Sequence, residues 1–98
     1  MVRWSAAASR DLRSIFDYIA RDSRHYARQV VDTILATADD IEPFTERGRV
    51  VPEIDDESIR EVFVYSYRVI YERRHDDVVV IAVIHGRRLL PPLKPDND

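Results

Sequence analysis

Seven consecutive apolar residues, Val78-Val79-Val80-Ile81-Ala82-Val83-Ile84, six of them β-branched, fit a strand buried on both faces. Such a strand needs hydrogen-bonding neighbours beside it and apolar cover on each face, so this run commits the chain to a sheet with packed elements around it. The run stops at His85-Gly86-Arg87-Arg88. A central strand that delivers an imidazole and two guanidiniums to one end of a sheet suits a phosphate, a nucleic acid or an acidic protein.

The neighbouring strands are legible upstream. Ile59 to Val64, a bend at Tyr65-Ser66, Tyr67 to His75 and a tight Asp76-Asp77 turn precede Val78 to Arg88, predicting an antiparallel meander. Cover for the sheet comes from the N-terminal half. Ser5 is placed to cap a helix running to about Arg21, with Ala8, Leu12, Ile15, Phe16 and Ile19 at three- and four-residue steps. A second helix, from about Arg24 to Ile41, carries Ala27, Val30, Val31, Ile34, Leu35, Ala38 and Ile41 on one stripe, and Pro43 stops it. A short strand at Val2 to Trp4 precedes both helices, and 44–56, with Gly48 and Pro52 and no periodicity, reads as a loop.

The predicted fold class is therefore α+β, in the order β-α-α-β-β-β, with a two-helix hairpin packed on a small antiparallel sheet. At 98 residues the chain fits one domain, taken as 1–93, with 94–98 a frayed tail. Leu89-Leu90-Pro91-Pro92-Leu93 is apolar but interrupted by proline, which suits an extended or packed terminal segment.

Charge and composition narrow the function classes. A net charge of -3 argues against affinity won mainly by wrapping nucleic-acid phosphates. The absence of cysteine removes disulfides and thiolate metal sites. No apolar run approaches the roughly 20 residues of a membrane helix, and charge returns at Arg10 and Asp11, too early for a signal peptide, so a cytoplasmic protein is expected. His25, His75 and His85 show no metal-ligand spacing, and there is no glycine-rich phosphate loop or nucleophile elbow. No metal, cofactor, small-molecule ligand or membrane partner is expected.

Alternation places Arg68, Ile70, Glu72 and Arg74 on one face of their strand and Tyr67, Val69, Tyr71 and Arg73 on the other. Arg68 is then either an arginine paired with Glu61 or Glu72, or a clamp for phosphate or carboxylate. His85, counted along the face of Val79, Ile81 and Val83, is either a hydrogen-bonded strand-end residue or an acid or base poised near neutral pH. Cleavage of RNA through its 2′-hydroxyl needs a base, an acid and cations around the phosphorane. The candidates are His85 or Glu53, then Tyr65 or Tyr67, then Arg68 with Arg87.

The early Ser5-to-Tyr18 helix, Gly48-Arg49-Val50-Val51-Pro52-Glu53, Ile59-Arg60-Glu61, Tyr67-Arg68-Val69-Ile70-Tyr71 and Val83-Ile84-His85-Gly86-Arg87-Arg88, in that order, resemble the ParE/RelE superfamily of bacterial toxins. The resemblance implies a type II toxin neutralised by an antitoxin protein in a plasmid or chromosomal stabilisation module. It also implies two helices against an antiparallel sheet. RelE-like members cleave messenger RNA on the ribosome, whereas ParE-like members poison DNA gyrase. The RelE-like centre uses an arginine matching Arg68, another matching Arg87, a C-terminal tyrosine or His-Tyr pair, and often lysines before the strands. This chain has no tyrosine beyond Tyr71, follows His85 with Gly86, and has no lysine between Arg47 and Glu57.

The expectation is thus a ParE-like toxin acting by binding, with gyrase as target and a hetero-oligomer with its antitoxin. The alternatives are a RelE-like endoribonuclease using Arg68, His85 and Arg87, or an inactive antitoxin-binding member. Arg60, Arg68, His85, Arg87, Arg88, Leu89 and Leu90 are the candidate contacts with antitoxin or target.

Overall fold

A computed structural model describes residues 2–75 and 77–86. In chain order the elements are β1 (Val2–Trp4), α1 (Ala6–Ala20), α2 (Arg24–Asp39), a 3-10 turn (Glu42–Phe44), β2 (Arg49–Val50), β3 (Ile59–Val64), β4 (Tyr67–Arg74) and β5 (Asp77–His85). The expected elements are all present, and β2 lies inside the segment read as loop. Arg87, Arg88, Leu89, Leu90 and the 94–98 tail lie outside the described residues.

Both helices begin where the sequence supplies a serine cap. Ser5 Oγ accepts from Ala8 N at 3.0 Å and Ser23 Oγ from Tyr26 N at 3.1 Å, each satisfying one of the amides that a helix start leaves without a partner. Ser5 N also donates to Val80 O at 2.9 Å, pinning the corner between β1 and α1 to β5. α2 ends at Asp39, two residues before the expected Ile41, because the chain tightens into the 3-10 turn that contains Pro43.

The sheet order is β1-β5-β4-β3-β2. β3, β4 and β5 form the expected meander, and β2 adds to β3 in antiparallel fashion. β1 pairs parallel to β5, Val2 with Val78 through Trp4 with Val80, so the sheet is mixed rather than wholly antiparallel. Both hairpin turns use left-handed residues that are not glycine, Tyr65 at φ 53° and His75 at φ 52°.

One face of the sheet packs on the helices. Ala8, Val30, Ile34 and Ala38 meet Val64, Val69, Val80 and Val83, with Leu12, Ile15 and Ile19 around them. Each fully buried aliphatic side chain here contributes about 1.5–3 kcal/mol relative to exposure. Ile41, Tyr71 and Val78 extend the same side. On the other face Ile70, Ala82, Ile59, Ile81 and Ile84 are covered by Val51 and Ile54 of the loop after β2.

The register of β4 against β5 slips between Ile70 and Tyr71: Ile70 pairs with Ala82 but Tyr71 with Val80. Ile81 is the extra residue, a β-bulge. The helix-packed residues of β5 are consequently Val78, Val80 and Val83, while Ile81, Ala82 and Ile84 belong to the opposite cluster. The count that placed His85 on one face with Val79, Ile81 and Val83 is corrected by this bulge: only Val83 shares its side.

Candidate functional site

Arg68 projects from β4 onto the helix-free face, where Phe63 of β3 pairs with it on one side and Ile84 of β5 on the other. Its guanidinium is buried and occupied. Nη1 and Nη2 donate to Glu53 Oε2 and Oε1, each at 2.8 Å, in a bidentate fork, and Nε donates to Glu61 Oε1 at 2.6 Å. Glu61 is only 1% exposed, and its second oxygen accepts from Arg49 Nε at 2.6 Å. Two carboxylates and two guanidiniums thus run Glu53–Arg68–Glu61–Arg49 across the sheet, joining β2, β3, β4 and the loop after β2.

The hydrogen bonds to Glu53, then those to Glu61, push the Arg68 pKa above its ordinary value against the opposing effect of burial. Arg68 is therefore a permanent cation whose donors are held by carboxylates of its own chain. Glu53, considered above as a base, is a partner of that cation. Glu72, the other partner considered for Arg68, bonds Arg74 Nε at 2.5 Å instead.

At the outer end of this row, Arg49 lies over the Phe63 ring, its guanidinium carbon 5.3 Å from the centroid. Phe63 also lies against Gly86: a Cβ at Gly86 would come within 3.4 Å of its ring and 3.1 Å of Ser66 O.

Arg60 points to the other face, opposite Tyr71, and its donors go to backbone: Nε to Glu57 O at 3.0 Å and Nη1 to Gly48 O at 2.9 Å. The buried Tyr71 hydroxyl donates to Thr45 O at 2.9 Å and accepts from Gly48 N at 2.9 Å. Burial raises the Tyr71 pKa, although the Gly48 amide and nearby Arg60, Arg73 and Arg47 act the other way. Gly48 sits where a Cβ would be 2.5 Å from Glu61 O and 2.7 Å from the Tyr71 hydroxyl. Arg60 and Tyr71 accordingly fasten the 45–48 segment to the sheet.

His85 pairs with Tyr67 on the helix side, ring centroids 5.8 Å apart at 75°, an edge-to-face contact. Burial raises the Tyr67 pKa, helped by the nearby phenols of Tyr26 and Tyr18. The structure therefore brings His85 together with Tyr67 and separates both from Arg68 by the thickness of the sheet. Tyr65, the other candidate acid, is exposed at the β3–β4 turn, its hydroxyl 3.5 Å from Thr33 Oγ1.

A second feature lies on the helical hairpin. Trp4, Leu12, Phe16, Val31 and Leu35 line a groove of about 640 Å³, with Ser9, Arg13 and Asp17 among its lining residues. The sequence placed Leu12, Phe16, Val31 and Leu35 on core stripes, but α1 and α2 each carry an apolar face wider than the sheet covers. Among the described residues, no group of His, Asp or Glu side chains is placed to hold a metal ion, and no helix is long and apolar enough to cross a membrane.

Comparison with known proteins agrees with this architecture. The chain superposes on a structure described as the chromosomal ParDE TA system from P. aeruginosa with a TM-score of 0.71, at 15% identity, covering 86% of this chain and 92% of that one. At that identity the likeness concerns the fold. No curated protein matches the sequence. A family model for the ParE toxin of the type II toxin–antitoxin system parDE matches residues 2–90. The strand-helix-helix-strand order, the Arg68-bearing strand and the match over nearly the whole chain converge, and the chain belongs to the ParE toxin family of type II toxin–antitoxin systems.

Proposed function

We propose that this toxin inhibits growth by binding DNA gyrase and performs no chemistry of its own, and that a cognate antitoxin neutralises it. The observation that carries the reading is the engagement of Arg68 by Glu53 and Glu61. A cation meant to stabilise phosphorane charge must offer donors to the reacting oxygens, whereas here the fork is closed by carboxylates. His85, the remaining candidate base, lies across the sheet together with Tyr67.

The antitoxin is proposed to lay the apolar side of an amphipathic helix into the groove between α1 and α2, with Leu12, Phe16 and Leu35 receiving its anchors. Arg87, Arg88, Leu89 and Leu90 remain proposed contacts for antitoxin or target. The site of action on this reading is the cytoplasm.

The test uses purified toxin freed of antitoxin. Gyrase with supercoiled plasmid should accumulate cleaved DNA in its presence, and ribosome-bound mRNA should stay intact. Unchanged gyrase activity at saturating toxin overturns the reading, and site-specific mRNA cleavage replaces it with the endoribonuclease. Overexpression without effect on growth points to an inactive antitoxin-binding member.

A further inference from the structure

The row of charges on the helix-free face ends in a group that the proposed function does not use. Arg49 gives its Nε to Glu61 and its flat face to Phe63, and no other side-chain hydrogen bond to it is present among the described residues. Neither Nη of Arg49 donates to Glu61 or to another side chain among the described residues, so the edge that takes a carboxylate end-on through two parallel bonds is not used there. Both members of the pair are open to solvent, the Arg49 side chain at 58% and Phe63 at 52%.

We infer that Arg49 and Phe63 form a recognition platform for a protein segment carrying a single Asp or Glu between apolar residues. The carboxylate takes the Nη edge of Arg49 and an apolar neighbour covers the exposed part of the Phe63 ring.

Preorganisation is the first argument. A free arginine on a surface loses much of its rotamer freedom when it binds. Here Arg49 is already held: its Nε is fixed by a buried carboxylate, that carboxylate by Arg68, and Arg68 by the fork to Glu53. Composition is the second, since arginine and aromatic residues, Phe among them, are both enriched at protein interfaces.

Charge selects the partner. Arg49 and Arg68 are balanced by Glu61 and Glu53, so the row is neutral and leaves one open edge rather than a cationic stripe. The loop bearing Glu53 continues into exposed Asp55, Asp56 and Glu57. Hydrogen bonds from Ser58 hold the Asp56 carboxyl below its ordinary pKa, so it stays ionised. A nucleic-acid strand gains affinity with each cation it meets, whereas this row presents one guanidinium edge, enough for a single carboxylate, and the loop beside Glu53 adds carboxylates rather than cations. The inference concerns a surface separate from the helical groove and does not depend on gyrase being the target.

The experiment is a nuclear magnetic resonance titration of the full chain, following the Arg49 Nε–H and Phe63 ring signals. The probes are a short capped peptide with one glutamate between leucines, the same peptide with glutamine or lysine in its place, and a short oligothymidylate. The glutamate peptide should shift both signals, and Arg49→Lys and Phe63→Ala should each weaken it about tenfold. Val80 and Ile34 methyl signals report that each variant stays folded. Equal binding of the glutamine peptide, tighter binding of the oligothymidylate, unchanged binding by Arg49→Lys, or no shift with any probe overturns the inference.

Discussion

Arg68 and His85 occupy consecutive rungs of the β4–β5 ladder, Arg68 beside Ile84 and His85 beside Tyr67, and face opposite sides of the sheet. A phosphate gripped by one is screened from the other by the sheet itself. Concerted cleavage needs clamp and acid–base group on the same reacting atoms. His85→Ala should therefore leave the outcome of a ribosome-dependent mRNA cleavage assay unchanged, with intact mRNA for parent and variant alike. Cleavage by the parent that disappears in the variant contradicts this.

Removing one member of the buried charge row should cost far more than removing a pair. Arg68→Ala leaves Glu61 buried with only Arg49 to balance it and should lower stability by about 3–5 kcal/mol. Glu61→Leu combined with Arg68→Met should cost much less than the two single changes summed, because apolar groups of similar size replace both charges. Urea midpoints for the two single variants and the double variant measure the coupling.

Gly48 is glycine for space. A Cβ there would lie 2.5 Å from Glu61 O, so Gly48→Ala should force the 45–48 segment off the sheet and cost at least about 2 kcal/mol in chemical unfolding. Loss of the Tyr71 hydrogen bonds should accompany it and appear as faster exchange of the backbone amide at position 48.

Alkaline pH should destabilise the fold through Tyr71 and Tyr67, whose pKa values are raised by burial. An acid with a raised folded pKa holds its proton in the folded state after the unfolded chain has released it. Its contribution is full below the unfolded value of about 10 and is lost as pH rises through the folded value. Tyr71→Phe should cost about 1–3 kcal/mol near neutrality, by stranding Gly48 N and Thr45 O, and should flatten the alkaline slope. Thermal unfolding across the alkaline range checks both effects.

The groove offers a surface test of antitoxin docking. Leu35 is partly exposed on α2, so Leu35→Glu should lower stability by only about 1–2 kcal/mol while weakening antitoxin binding at least about tenfold. Titration calorimetry against a cognate antitoxin gives the affinity and urea unfolding the stability, and unchanged affinity removes the groove from the interface.

Helices and meander were legible because their signals are local: a serine cap with an apolar stripe for α1 and α2, β-branched runs for β3, β4 and β5. β2 was not, because two residues between Gly48 and Pro52 carry no period. The bulge was hidden for a different reason. A strand apolar on both faces shows no alternation, so an inserted residue leaves no mark in the sequence, and every face assignment beyond Ile81 inherits the error. The pairing of Arg68 with Glu61 was among the readings open in the sequence. Its fork to Glu53 was not, since it depends on how the loop after β2 folds back over the sheet.

The parallel pairing of β1 with β5 joins residues 2–4 to 78–80. A nascent chain emerging from the ribosome can form the helical hairpin as soon as α2 is free of the exit tunnel, but β1 must wait for β5, the last strand made, before it has a partner in the sheet. Non-local closure of this kind is slow, because chain entropy is lost before the contacts that repay it exist. During that interval Leu12, Phe16, Val31 and Leu35 stand without β5 behind them and without Trp4 set beside them. On the proposed docking, an antitoxin that reads the helical residues of the groove would meet them before the sheet, and any activity that needs the sheet, is complete.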